Sequence, residues 1–149
     1  MNKINYYNEI KNKLIDNEVY KRVKDYSKNR NEISTYYEVG RLLIEAQGGE
    51  NRAKYGNGLI KEYSKRLTSE LGKGYTFIAL SRMRQFYVLS EKVATLSQQL
   101  SWSHYSELLS LNDVNEINYY ISIIESYNLS VRELRERIKN KEYQRLDDN

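Results

Sequence analysis

Apolar positions return every three or four residues through most of this chain, the spacing that keeps one face of an α-helix turned toward a core. Ile4, Tyr7, Ile10 (or Lys11) and Leu14 mark a first helical segment ending near Asp16-Asn17. Val19, Val23, Tyr26, Arg30, Ile33, Tyr37, Gly40, Ile44 and Gln47 then follow in steps of four and three, a heptad seam of about four repeats. A continuous helix over 17–47 would be about 46 Å long at 1.5 Å per residue. A compact domain of this size is only about 38 Å across. The seam therefore predicts a helix that crosses the whole molecule, protrudes, pairs with a second copy, or breaks near Asn29-Arg30-Asn31. Arg30 in the seam calls for a break or an acidic partner, because an unpaired charge there is costly. Gly40 in the same seam lets another backbone come close.

All seven glycines lie between Gly40 and Gly74 and there is no proline, so long helices flank one punctuated middle. Gln47-Gly48-Gly49-Glu50-Asn51 ends the seam. A helix follows from about Arg52 or Asn57 to Leu71, with Ile60, Tyr63, Leu67 and Leu71 on one face. Gly72-Lys73-Gly74 closes it. Thr76 caps a helix running to about Ser90, with Phe77, Leu80, Met83 or Arg84, and Tyr87 inward. Leu96 to Leu111 reads as a loop and then a short helix capped by Ser103. Asp113 caps a helix carrying Ile117, Tyr120, Ile121 and Ile124. Ser130-Val131-Arg132-Glu133 is a capping box before Leu134 and Ile138. Residues 119–124 are strand-like in composition, but the flanking acids and the cap at Asp113 favour helix. The expected fold is all-α, a multi-helix bundle with a long N-terminal helix (or helix pair) and a helix-turn-helix-like unit at about 57–90. One domain, 1–149, holds a long helical segment (1–47), a basic unit (52–92) and C-terminal helices (100–146).

Composition narrows the chemistry. In 149 residues there is no cysteine and one histidine, which excludes disulfides, thiolate sites and multi-histidine zinc sites. With 30% charged and 40% hydrophobic residues the chain is neither a membrane protein nor a disordered one. The N-terminus has no apolar run, so no signal peptide is expected and the expected setting is the cytoplasm. The fifteen tyrosines accompany abundant asparagine, lysine and isoleucine, the mark of an AT-rich coding sequence, and read as core filling rather than a base-stacking platform.

The net charge of +4 hides an asymmetry. Residues 51–100 carry nine basic and three acidic residues, whereas 101–149 carry six basic and nine acidic. The positive field lies on the glycine-punctuated helix pair, which has helix-turn-helix spacing. In such a unit the second helix enters the major groove while lysines and arginines neutralise phosphates. Candidate nucleic-acid contacts are Lys73 in the turn and Thr76, Ser81, Arg82 and Gln85 on the second helix, with phosphate contacts from Lys61, Lys65 and Arg66 on the first. Basic helix pairs also serve as solvated faces or protein-docking surfaces. His104 has only Glu107 nearby in sequence and reads as structural, as Trp102 reads as a core anchor. No phosphate-binding glycine loop, H-E-x-x-H or nucleophile elbow occurs. No catalytic residue, cofactor or metal is expected.

Several segments carry a family likeness. They are Asn31-Glu32-Ile33, Tyr36-Tyr37-Glu38-Val39-Gly40-Arg41, Arg52-Ala53-Lys54-Tyr55-Gly56, and Gly74-Tyr75-Thr76 with Leu80. Met83-Arg84-Gln85-Phe86-Tyr87, Leu100-Ser101-Trp102-Ser103-His104-Tyr105 and Ser130-Val131-Arg132-Glu133-Leu134 follow, then Tyr143 and Arg145-Leu146. In order and content they resemble the N-terminal domain of YhcG-type bacterial and phage proteins, which precedes a PD-(D/E)XK nuclease-like domain. Tyr37 and Leu129 depart from it, standing where the family usually has tryptophan, both at expected core positions. The resemblance implies a helix-turn-helix DNA-binding module without activity of its own. It also implies a free-standing copy, the chain ending where the nuclease-like domain would begin.

Two functions follow as expectations. The first is a non-enzymatic module binding DNA, or a nucleoprotein complex, through the basic surface of 52–92. The alternative is a protein–protein interaction factor, such as a phage or mobile-element inhibitor of a host nucleoprotein defence complex. A homodimer through the seam of 19–47 is a further expectation.

Overall fold

The computed structural model describes residues 3–23, 28–93, 96–97 and 99–146. Among them the fold is all-α: α1 (Tyr6–Val23), α2 (Lys28–Gln47), a 3-10 turn (Glu50–Arg52), α3 (Ala53–Leu71), α4 (Phe77–Ser90), α5 (Trp102–Leu108), α6 (Val114–Tyr127), α7 (Val131–Lys139) and α8 (Glu142–Arg145). The chain forms two compact units, Met1–Val88 and Leu89–Asn149.

In the first unit the N-terminal segment is a helix pair. The first helix does not stop at Asp16-Asn17 but continues to Val23, because nothing there breaks it. Asn17 is buried and accepts a hydrogen bond from Asn31 Nδ2 at 2.6 Å, so it is a polar contact between α1 and α2 rather than a terminator. Tyr6 Oη reaches Glu45 at the other end of α2, at 3.4 Å, which makes the pair antiparallel. The helix already runs through Asn29-Arg30-Asn31. The side chains of Val23, Tyr26 and Arg30, which the seam reading used, lie outside the described residues.

The buried apolar side chains of α2 are Val39, Leu42 and Leu43, which lie off the seam; of the seam positions, Gly40 and Gln47 are buried. The seam itself faces α4: Tyr37 packs on Tyr87 with ring centroids 5.1 Å apart. A Cβ at Gly40 would overlap the Met83 carbonyl oxygen and lie 2.8 Å from Tyr87 Cβ. Gly40 thus admits α4 to close range. Helix α1 runs alongside α3 in the same direction. Tyr7 meets Tyr63 edge-on at 5.4 Å, Lys11 pairs with Glu70, and Glu18 accepts from the Tyr75 hydroxyl. Tyr7, Ile10 and Leu14 are buried as expected, whereas Ile4 is exposed.

The second unit is built from shorter helices, of which α5, α6 and α7 begin on their own side-chain caps. Helix α5 starts on Ser101 rather than Ser103. The Ser101 hydroxyl accepts from the His104 amide, and His104 Nδ1 accepts from the Ser101 amide at 3.0 Å. Asp113 caps α6 and Ser130 with Glu133 forms the capping box of α7, as the sequence predicts. Ile117, Tyr120, Ile121, Ile124, Leu129 and Leu134 are buried. Tyr119 donates to Glu142 Oε2 at 2.7 Å, and burial together with that carboxylate pushes its phenol up to about 12. With no glycine in this unit, two turns place other residues at positive φ: Asn128 at 51° and Lys141 at 56°. No helix among the described residues is long and apolar enough to cross a membrane.

Candidate nucleic-acid interface

Helix α3, the turn after it and α4 carry the basic residues singled out in the sequence. Ile60, Tyr63 and Leu67 form the buried stripe of α3. At 3.6 residues per turn, Lys54, Lys61 and Lys65 fall on the opposite side, and all three are exposed. The Gly72 amide closes the helix on Thr68 O at 3.0 Å. Gly72 and Gly74 then take φ of 101° and 116°, values that side chains disfavour, and hold exposed Lys73 between them. Helix α4 starts where expected, Thr76 Oγ1 accepting from the Ala79 amide at 3.0 Å.

Helix α4 folds back along α3. Near the turn, Ser64 Oγ donates to Tyr75 O at 2.7 Å. Farther along, Arg84 Nη2 donates to Asn57 Oδ1 at 2.6 Å, and Nη1 to Gln47 Oε1 at 2.8 Å. Arg84 therefore joins the end of α2, the start of α3 and the middle of α4. Gly56 makes room for it, since a Cβ there would overlap the Gln47 amide oxygen and lie 2.6 Å from Arg84 Nη1. Burial lowers the Arg84 pKa from its ordinary value. Its partners are amide and carbonyl oxygens, and no carboxylate faces it among the described residues. Sequence reasoning missed this cluster, although a glutamine ending a mostly apolar seam signals a buried polar partner.

Not every predicted contact faces outward. Arg82 and Gln85 are exposed on one face of α4 with Ile78, which is 63% exposed. The Ser81 hydroxyl is turned inward, buried and without a hydrogen-bond partner among the described residues. Thr76 is exposed, but its hydroxyl serves the cap. Arg66 is exposed with its guanidinium 3.6 Å above the Tyr7 ring, a cation–π contact that holds its plane against α1. Burial, with the Glu70 carboxylate beside it, raises the Tyr7 phenol, while Lys11 holds Glu70 below the usual carboxylate range. Phe77, expected inward, is 37% exposed; Phe86, which periodicity passed over, is fully buried. Lys54, Lys61, Lys65, Lys73 and Arg82 have no ion pair among the described residues.

His104 is a structural histidine in the second unit. Its Nε2 lies 2.8 Å from the Leu129 carbonyl, which can only accept, so Nε2 carries the proton and Nδ1 is free to receive the Ser101 amide. Both ring nitrogens are engaged. Among the described residues no three His, Cys, Asp or Glu side chains come together as a metal site.

These features define an all-helical protein whose first unit displays a basic helix–turn–helix hairpin. The DUF1016 N-terminal domain family matches residues 9–145, and the chain belongs to that family. It is 42% identical over 72 residues to the Escherichia coli (strain K12) protein named "Putative nuclease YhcG", a stretch covering 46% of this chain and 19% of that protein. No solved structure matches it.

Proposed function

We propose that this chain is a non-enzymatic, cytoplasmic module that binds duplex DNA through the α3–turn–α4 surface. The observation that carries the reading is the set of exposed cations without carboxylate partners among the described residues: Lys61, Lys65, Lys73 and Arg82. Only Glu62 and Glu70 lie among them in sequence, and Glu70 is paired with Lys11. Lys61, Lys65 and Lys73 neutralise phosphates, while Arg82 and Gln85 reach base edges from α4. Ser81 is left out of the contacts by its inward hydroxyl, and Thr76 and Arg66 contribute less for the reasons given above. The name of the Escherichia coli relative, a nuclease, supports nucleic acid as the ligand of the shared domain.

The test is titration of a fluorescent duplex at rising salt. Affinity should fall steeply between about 50 and 200 mM as counterion release loses its drive. Combined Lys61→Gln, Lys65→Gln and Lys73→Gln substitution should lower the log–log salt slope by about 3. Absence of binding by the unaltered chain at the lowest salt sinks the reading.

The exposed apolar pair Phe77 and Ile78, in the middle of this surface, favours a second reading. It is a factor that docks on a protein, in the manner of a mobile-element inhibitor of a host nucleoprotein complex. Capture of one stoichiometric protein partner that survives nuclease treatment and is lost in Ile78→Glu supports it over the first.

A further inference from the structure

Helix α3 contains two glycines whose situations are opposite. Gly56 is demanded from inside, by Gln47 and Arg84. Gly58 is exposed, in ordinary helical conformation, and a Cβ there would meet nothing within 4 Å. A mid-helix glycine weakens a helix relative to alanine, and no contact among the described residues offsets it at this position. Lys54, Gly58, Lys61 and Lys65 are spaced by four, three and four residues and so share one stripe along the outer side of α3. The three lysines are exposed and without ion pairs among the described residues. The stripe spans about 16 Å, the axial rise of about five phosphates of one DNA strand.

We infer that Gly58 seats a sugar–phosphate strand directly against the α3 backbone, with Lys54, Lys61 and Lys65 closing over its phosphates. The inference rests on the DNA-binding reading and adds to it a mode of docking: α3 follows one strand at close range, and that contact positions α4. The absent side chain removes the bulk that would hold the strand off. The three ammonium groups, on flexible stems to either side, reach non-bridging oxygens without depending on base sequence.

The experiment uses the full chain and a labelled random-sequence 20-base-pair duplex at 50 mM salt, with melting of each variant measured in parallel. Gly58→Ala should raise the melting temperature while weakening binding, opposite signs that a purely structural residue does not produce. Gly58→Leu should weaken binding about tenfold by holding the strand away, with melting within a few degrees of the unaltered chain. Ser122→Leu, at an exposed position in the second unit, should leave affinity unchanged. Lys54→Gln with Lys61→Gln and Lys65→Gln should reduce the salt slope by about 2 to 3. If the unaltered chain binds and Gly58→Leu binds equally well, the strand seat is wrong while the basic surface stands. If the unaltered chain binds no duplex, both fall together.

Discussion

The unit that ends at Val88 is built on helices of 18, 20 and 19 residues, followed by the greater part of α4. The unit that follows has helices of 7, 14, 9 and 4 residues. Three of these shorter helices start on a side-chain cap; in the first unit α1 starts on Asn5 and α4 on Thr76, whereas α3 starts at Arg52 with none. A short helix has few internal hydrogen bonds to offset its unsatisfied ends, so a cap on its first turn counts for more. A long helix gains more from the face it buries, and its fixed points lie across interfaces, as Arg84 and Gly40 show. Charge divides the same way: 17 basic against 10 acidic residues up to Val88, and 7 against 10 beyond it. The shorter helices of the second unit serve a mainly structural role, while the long packed helices of the first leave whole outer faces free to carry lysine.

The largest test of this contrast falls on the second unit. Tyr105 is fully buried, and its hydroxyl both accepts from the Ser97 amide at 2.9 Å and donates to the Ser97 carbonyl at 3.0 Å. Tyr105→Ala should cost about 4 kcal/mol, read as a lower urea midpoint of Trp102 fluorescence, the single tryptophan being in this unit. A change below about 1 kcal/mol, the scale of an ordinary surface substitution, would mean that Tyr105 is not an anchor.

The next falls on the first unit. Gly40→Ala should destabilise it by about 2 kcal/mol in spite of alanine's better helix propensity, because the new methyl meets the Met83 backbone. Helical circular dichroism should begin to fall before Trp102 fluorescence responds. Coincident transitions would show that the two units unfold as one cooperative block.

Ser130→Ala should remove about 1 kcal/mol through loss of one cap, and the same change at Ser69, exposed within α3, should be near neutral. Equal effects at the two positions would erase the distinction between capped and packed helices. The smallest effect is acid-dependent. Hydrogen bonds from Ser130 hold Glu133 below the usual carboxylate range. Its contribution is therefore present above the unfolded carboxylate value and lost as pH falls through the lower folded one. The difference in melting temperature between Glu133→Gln and the unaltered protein should shrink from pH 7 toward pH 3. A difference constant across that range excludes the carboxylate from the box.

The same contrast explains what could be read from sequence. Asp113, Ser130 with Glu133, and the Gly72-Lys73-Gly74 turn each act on neighbours within a few residues, and each was legible. The start of α5 was misplaced by two residues because Ser101 and Ser103 are equally good caps. Only the reach of His104 back to the Ser101 amide decides between them. Asn17 looked like a helix end because its partner, Asn31, lies fourteen positions away in another helix. The seam over 33–47 was real as a pattern, yet its partner is α4 of the same chain. Of the candidate interface, charge and position along the chain were legible. The inward turn of Ser81 and the stacking of Arg66 on Tyr7 were not, since both depend on how α3 and α4 rotate about their own axes.

Arg84 has one more consequence. It ties α2, α3 and α4 together through uncharged oxygens of Gln47, Asn57 and Ala53. None of these partners changes protonation between mild acid and alkali, and salt screens pairs of charges far more than it weakens a direct hydrogen bond to an amide. The platform that displays the lysines therefore keeps its shape under the conditions that strip a polyanion from it. Weaker binding at high salt then reports release of the ligand from an intact surface, and return to low salt restores the complex without refolding.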